Sequence, residues 1–150
     1  MTLLSADFDQ KEFEKDSPLP AECVESYTNL CKLILQPIRD HLAVSMVVTS
    51  GYRPAYINKI DHGVKNSEHV ATADYCAADW EVPALGKDLR AVFDWIRNQP
   101  SEALPFHQVI LEHGNFGDII HISWNKTTTA RQALEGSTFN ASPYKAWSVV

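Results

Sequence analysis

The chain has 150 residues, 45% of them hydrophobic, with 19 acidic against 13 basic side chains and a net charge of −6. That length makes one domain the default and supplies enough apolar material for a core without disulfide or metal staples. The acidic balance, with no stripe of Lys and Arg, excludes nucleic acid as the main partner, because phosphate binding needs clustered cations. No apolar run is long enough to span a bilayer, so no membrane segment is expected. The start, Met-Thr-Leu-Leu-Ser-Ala-Asp, has neither a basic n-region nor a long apolar h-region, and no signal peptide is expected. Cys23, Cys31 and Cys76 cannot all pair within one chain and match no zinc-ribbon spacing. Reduced, buried thiols and folding in a cytosol are the expectation.

Residues 1–20 are acidic and end in Ser-Pro-Leu-Pro. They read as a short N-terminal capping segment, with Phe8 and Phe13 as anchors. Pro20 followed by Ala21-Glu22 suits a helix start, since proline fits the first turn and a carboxylate suits the positive dipole end. Apolar residues then recur at Val24, Tyr27, Leu30, Cys31, Ile34, Leu35 and Ile38, the three-four spacing of an amphipathic helix over about residues 21–41. Pro37 is expected to kink or end it. Val44 to Ser50 is rich in β-branched residues and predicts a buried strand, ended or bent by Gly51. Residues 53–68 predict a loop with at most a short helix at 54–60. Ala77 to Val82 predicts a second strand and Pro83 to Gly86 a turn. Leu85 to Asn98 has helical spacing, closed by Gln99-Pro100. Gln108 to Glu112 and Ile119 to Trp124 predict strands joined as a hairpin through residues 113–117. Residues 126–150 read as a polar C-terminal tail, with Tyr144 and Trp147 available to pin it to the domain or to a neighbour such as a virion partner.

Three polar side chains interrupt these apolar runs. His121 lies inside a strand-like segment, where a buried imidazole needs a partner or a metal. Asp79 follows two alanines in another, and a carboxylate facing a core is costly unless paired. His69 sits beside Ser67 in the intervening loop. Each has a plainer explanation: a solvent-exposed loop histidine, a satisfied core histidine, an aspartate on an outward face. Together they suggest a divalent metal, since histidine nitrogens and carboxylate oxygens from distant segments are a zinc donor set that leaves a position open for water. His41, His62, His107 and His113 are expected to be structural or exposed.

Ser50-Gly51-Tyr52-Arg53, Ser67-x-His69, Ala77-Ala78-Asp79 and His121-Ile122-Ser123, in that order, resemble the peptidase M15 family of zinc D-Ala-D-Ala carboxypeptidases and phage L-alanyl-D-glutamate endopeptidases. The resemblance covers roughly residues 8–125, with the Gln-Pro-Ile-Arg-Asp run at 36–40 and the Gln108–Glu112 strand. It implies an α+β fold shared with the amino-terminal signalling domain of hedgehog proteins, a single domain over 1–150 in which a small antiparallel sheet carries the metal and packs against helices. It implies zinc held by His69, Asp79 and His121, Arg53 binding a substrate carboxylate, and Ser67 orienting the loop or the substrate. For the general base it favours Asp118, three residues before His121, with Glu112 the rival. The family usually places six residues between the first histidine and the aspartate; here nine separate His69 from Asp79, and four separate His69 from Asp74. Asp79 is preferred because Trp-Glu-Val-Pro follows it, with Asp74 in an inserted loop.

The implied function is a zinc peptidase of peptidoglycan stem peptides, probed against two competitors: a non-catalytic metal-binding virion module of the same fold, and an unrelated Cys-His hydrolase using Cys76. The chain would be made in the cytoplasm and act at the cell wall after release, or as part of a virion. Its acidity counts against a freely diffusing lysin, because bacterial walls are anionic.

Overall fold

The computed structural model of the chain describes residues 1–60, 67–128, 130–137 and 144–150. His62 and the middle of the expected 53–68 loop lie outside the described residues.

The N-terminal segment has structure of its own. Strands β1 (Leu3–Ser5) and β2 (Phe8–Asp9) pair antiparallel. A 3-10 turn at Gln10–Phe13 follows. Asp9 accepts from the Lys11 N–H at 2.8 Å and Glu12 from the Asp9 N–H at 2.7 Å, a reciprocal cap that satisfies donors the turn leaves free. Phe8 and Phe13 are both buried, as anchors should be.

The long helix runs through a 3-10 turn at Ala21–Cys23, α1 (Val24–Leu30), a widened π turn at Cys31–Leu35, and α2 (Gln36–Leu42). Pro37 neither ends nor breaks it. The wide turn lies just ahead of the proline, and the Gln36 N–H bonds to Cys31 O, five residues back. A proline ring clashes with the carbonyl four residues earlier in a regular helix; the extra residue in the turn relieves that crowding. Tyr27, Leu30, Cys31, Ile34, Leu35 and Ile38 are all buried, as their spacing predicts.

Next come β3 (Val47–Ser50), α3 (Ala55–Ile60), β4 (Tyr75–Glu81), a 3-10 turn at Pro83–Leu85, α4 (Arg90–Arg97), β5 (Gln108–Gly114), β6 (Gly117–Asn125), β7 (Gln132–Ser137) and β8 (Lys145–Trp147). Strands β3 to β8 form one sheet in the order β3-β4-β6-β5-β7-β8. The fold is α+β, as expected, but the sheet is mixed rather than antiparallel. β7 follows β6 yet pairs on the far side of β5, so it runs parallel to β5. Residues read as a polar tail therefore supply two strands of the sheet.

Alternation sorts the central strands into two faces. Cys76, Ala78 and Trp80 on β4, Ile120 and Ile122 on β6, and Val109 and Leu111 on β5 are buried in the core. The small side chains of β4 admit α1 closely enough for the Tyr27 hydroxyl to donate to Ala77 O at 2.8 Å. Each large apolar side chain fully buried here contributes about 1.5–3 kcal/mol. The other face carries Asp79, His121, Ile110 and Glu112, positioned by the register pairs Asp79↔His121 and Ile110↔His121.

A polar clasp ties the outer strands to this frame. His113 meets Asp118 at 2.6 Å through Nδ1 and Glu135 at 2.7 Å through Nε2. Arg90 also pairs with Glu135, and the Trp147 indole N–H donates to Glu135 at 3.0 Å. The Glu135 contact, and then Asp118, hold the His113 pKa above its ordinary 6.5 against partial burial. For Glu135, burial pushes upward, but the bonds from His113, Arg90 and Trp147 outweigh it and hold the carboxyl below its ordinary 4.5. A raised histidine adds stability that is complete below its unfolded value and is lost as pH rises through its folded value; a lowered carboxyl loses its share as pH falls through its folded value. The clasp is therefore strongest between about pH 4.5 and 6.5. His113 is half-exposed, so solvent screening limits the effect to about 0.5–1 kcal/mol. In urea denaturation, the stability lost in His113→Asn should be larger at pH 5.5 than at pH 9 by that amount; an equal loss at both would contradict the clasp.

Candidate metal centre

The site is assembled from the end of β3, the turn at 67–70, β4 and β6. At Gly51 the chain passes so close to the N-terminal segment that a Cβ would lie 2.5 Å from Phe13 O and 2.6 Å from Phe13 Cα. Only glycine fits there, which accounts for the glycine of Ser-Gly-Tyr-Arg. The Tyr52 N–H then donates to Phe13 O at 3.0 Å.

That close passage sets up His69. Its Nδ1–H donates to Gly51 O at 2.7 Å, and the Arg53 N–H donates to His69 O at 2.8 Å. Ser67 Oγ accepts from the His69 N–H at 3.2 Å, so Ser67 orients the loop. Glu68 bonds His107 Nδ1 at 2.9 Å and fastens the same turn to the start of β5. The tautomer follows from the first of these bonds: with its proton on Nδ1, neutral His69 presents a bare lone pair at Nε2.

Nε2 of His69 faces Nδ1 of His121 at 3.2 Å, and both face Oδ1 of Asp79, at 3.0 and 2.9 Å. His69 and His121 are buried. Three acceptor atoms, all within 4.8 Å of one another, repel unless a cation stands among them or a proton is taken up. Burial pushes the Asp79 carboxyl upward, but the two imidazoles dominate and hold it well below the usual carboxylate range. Burial pushes His121 downward, yet its bond to Asp79 and the charges of Asp79 and Glu112 raise it above its ordinary value. The protein thus favours positive charge at this point, and a divalent metal on two imidazole nitrogens and one carboxylate oxygen fits the donors present.

Asp79 is aimed by its other oxygen. A bulge in β3 shifts the pairing between Val48↔Trp80 and Ser50↔Asp79, as bulges do beside sites. Arg53 NH2 donates to Asp79 Oδ2 at 3.2 Å and Arg53 Nε to Ser50 Oγ at 3.0 Å. Ser50 in turn donates to Asp16 at 2.8 Å. Arg53, expected to bind a substrate carboxylate, is here engaged with Asp79.

The three expected ligands are brought together, and Asp74 is not among them. The extra residues after His69 close as a tight turn, with the Thr72 N–H donating to Tyr75 O at 3.0 Å. Asp74 lies exposed in that turn. Of the two expected bases, Asp118 is three residues from His121, an odd offset that puts it on the opposite face. There it accepts from the Leu89 N–H at 2.9 Å and meets His113. Glu112, which pairs with Ile119, lies on the face that carries Asp79 and His121. Its carboxyl is raised by burial and by Asp79, with His121 and Arg53 pulling the other way. Cys76 is fully buried on the core side of β4, away from the face that carries Asp79, and burial raises its thiol, both of which count against a Cys-His mechanism. Glu68 and His107, which brace this turn, are neighbours of the site that the spacing of motifs did not single out.

A buried pair of histidines and an aspartate, with a carboxylate on the same sheet face, is a group that could hold a metal ion. Residues 6–123, more than half of the chain, match Peptidase M15, and the chain belongs to the peptidase M15 family. No curated protein matches it. Among the described residues no helix is long and apolar enough to cross a membrane.

Zinc titration with a chromophoric chelator tests the ligand set. His69→Ala, His121→Ala and Asp79→Ala should each abolish stoichiometric binding, and Asp74→Asn should retain it. Arg53→Ala should weaken affinity about 10- to 100-fold, the usual effect of losing a group that orients a ligand. Full affinity in the Asp79 variant, or its loss in the Asp74 variant, would overturn the assignment.

Proposed function

We propose that the protein is a zinc peptidase that hydrolyses peptide bonds in peptidoglycan stem peptides. The observation that carries this reading is the convergence of His69 Nε2, His121 Nδ1 and Asp79 Oδ1, with Glu112 on the same face of the sheet. A zinc ion held by these three atoms would polarise a carbonyl and make water a stronger acid. Membership of the M15 family supports the substrate class.

In this reading Glu112 is the general base. The water oxygen attacks the scissile carbonyl carbon while its proton passes to Glu112. The carbon–nitrogen bond then breaks, and Glu112 returns that proton to the departing amine. Arg53 keeps Asp79 in place, and Ser67 with the Glu68–His107 pair holds the turn that carries His69. The carboxylate beside the metal face favours catalysis over a purely structural module, which has no need of a base there.

The test is mass spectrometry of defined stem peptides incubated with zinc-loaded protein, beside a chelated control. Chelator-sensitive loss of terminal D-Ala would make the protein a carboxypeptidase, and cleavage between L-Ala and D-Glu an endopeptidase. Glu112→Gln should keep its zinc and lose about 10²- to 10⁴-fold in rate, while Asp118→Asn should stay near the wild-type rate. No cleavage by zinc-loaded wild type would overturn the proposal, and an inactive Asp118→Asn with active Glu112→Gln would return the base role to Asp118.

A further inference from the structure

Tyr144 lies beyond the stretch that matches the family, in the segment whose strands complete the sheet. The register of β7 with β8 pairs Leu134 with Ala146 and Glu135 with Lys145. Continued by one residue, it sets Tyr144 opposite Gly136. Gly136 is itself paired with Glu112 in the parallel register of β5 and β7. Residues two apart share a face, so Glu112, Gly136 and Tyr144 stand in one row on the face that carries Asp79 and His121.

The Tyr144 ring occupies the space where a Gly136 side chain would stand. A Cβ there would fall 1.7 Å from Tyr144 Cδ1 and 2.2 Å from Cε1. The absence of a side chain at 136 thus lets the ring fold across β7, whose inner neighbour is β5 with Glu112. Neighbouring strands are about 4.8 Å apart, and a tyrosine side chain spans that distance. Tyr144 remains 37% exposed, so a ligand can reach it from solvent. Burial first, then the carboxylates of Glu112 and Asp79, raise the phenol above its ordinary value. A phenol is a protonated hydroxyl at neutral pH, so the group is a donor.

Resting on the peptidase reading, we infer that Tyr144 is a further catalytic residue, whose phenol O–H donates a hydrogen bond to the scissile carbonyl oxygen as negative charge develops on it. No proton is transferred; the hydroxyl stays a donor throughout. A donor aimed at a developing oxyanion acts on the transition state more than on the bound substrate. Gly136 serves it by leaving room for the ring.

The deciding experiment uses the full zinc-loaded chain and a phosphinate pseudopeptide of the stem sequence, a stable mimic of the tetrahedral state. Tyr144→Phe keeps the ring packed on Gly136 and removes only the hydroxyl. Calorimetry should show phosphinate affinity falling 10-fold or more with zinc stoichiometry unchanged. On stem peptides kcat should fall 10- to 100-fold with KM within twofold. Unchanged phosphinate affinity, or a change confined to KM, would overturn the inference while leaving the peptidase reading standing. Weaker phosphinate binding in the variant, with no peptide cleaved by wild type, would uphold Tyr144 and sink the proposed substrate. Failure of wild type to bind the phosphinate would overturn both.

Discussion

The fold is constrained by the meeting of three lone pairs at one point. His69 Nε2, His121 Nδ1 and Asp79 Oδ1 are held within hydrogen-bonding distance of one another in a largely buried setting. Like-signed partial charges brought together out of water are unfavourable, so the rest of the structure must hold them there. Asp79 and His121 are directly paired on adjacent antiparallel strands, which fixes two donors through the sheet itself. His69 comes from a turn and depends on its anchors: Gly51 O at the ring, Ser67 at the backbone, and Glu68 on His107.

Those anchors depend in turn on packing remote from the site. Gly51 lies against Phe13 because the N-terminal segment is capped and Phe13 is buried beside Tyr27, with ring centroids 5.2 Å apart. Tyr27 reaches through to Ala77 O on β4, two residues from Asp79. The capping segment, the long helix and the central strand therefore converge on the geometry of one face. On the other side of the sheet, Arg131 joins the last strands to the domain by donating to Gln99 O, Leu104 O and Val150 O, with its guanidinium 4.1 Å from the centre of the Phe106 ring.

The meeting of His69, Asp79 and His121 was legible in the sequence because each is a polar residue placed against an apolar run, where burial demands a partner. Asp79 could be preferred to Asp74 from the strand that follows it, and the turn at Thr72–Tyr75 shows how the longer spacing is absorbed. The placing of the two candidate carboxylates was legible only in half. Strand parity alone puts Asp118 and His121 on opposite faces, but placing Glu112 requires the hairpin register. That register follows from the two-residue turn between Gly114 and Gly117, and a loop read as residues 113–117 left it open. Strands β7 and β8 were hidden because Gln-Ala-Leu-Glu-Gly-Ser has little β-branched character. It becomes a strand through tertiary partners, chiefly the Glu135 clasp and Arg131. The helix survived Pro37 through a wide turn that no local propensity announces.

On the proposed reading, this face binds zinc through two imidazoles and one carboxylate. X-ray absorption spectroscopy of the zinc-loaded protein in solution tests it most directly. The spectrum should show a low-coordinate shell of nitrogen and oxygen only, with the outer-shell scattering of two imidazole rings and no sulfur. A sulfur ligand, or scattering from a single imidazole, would contradict it.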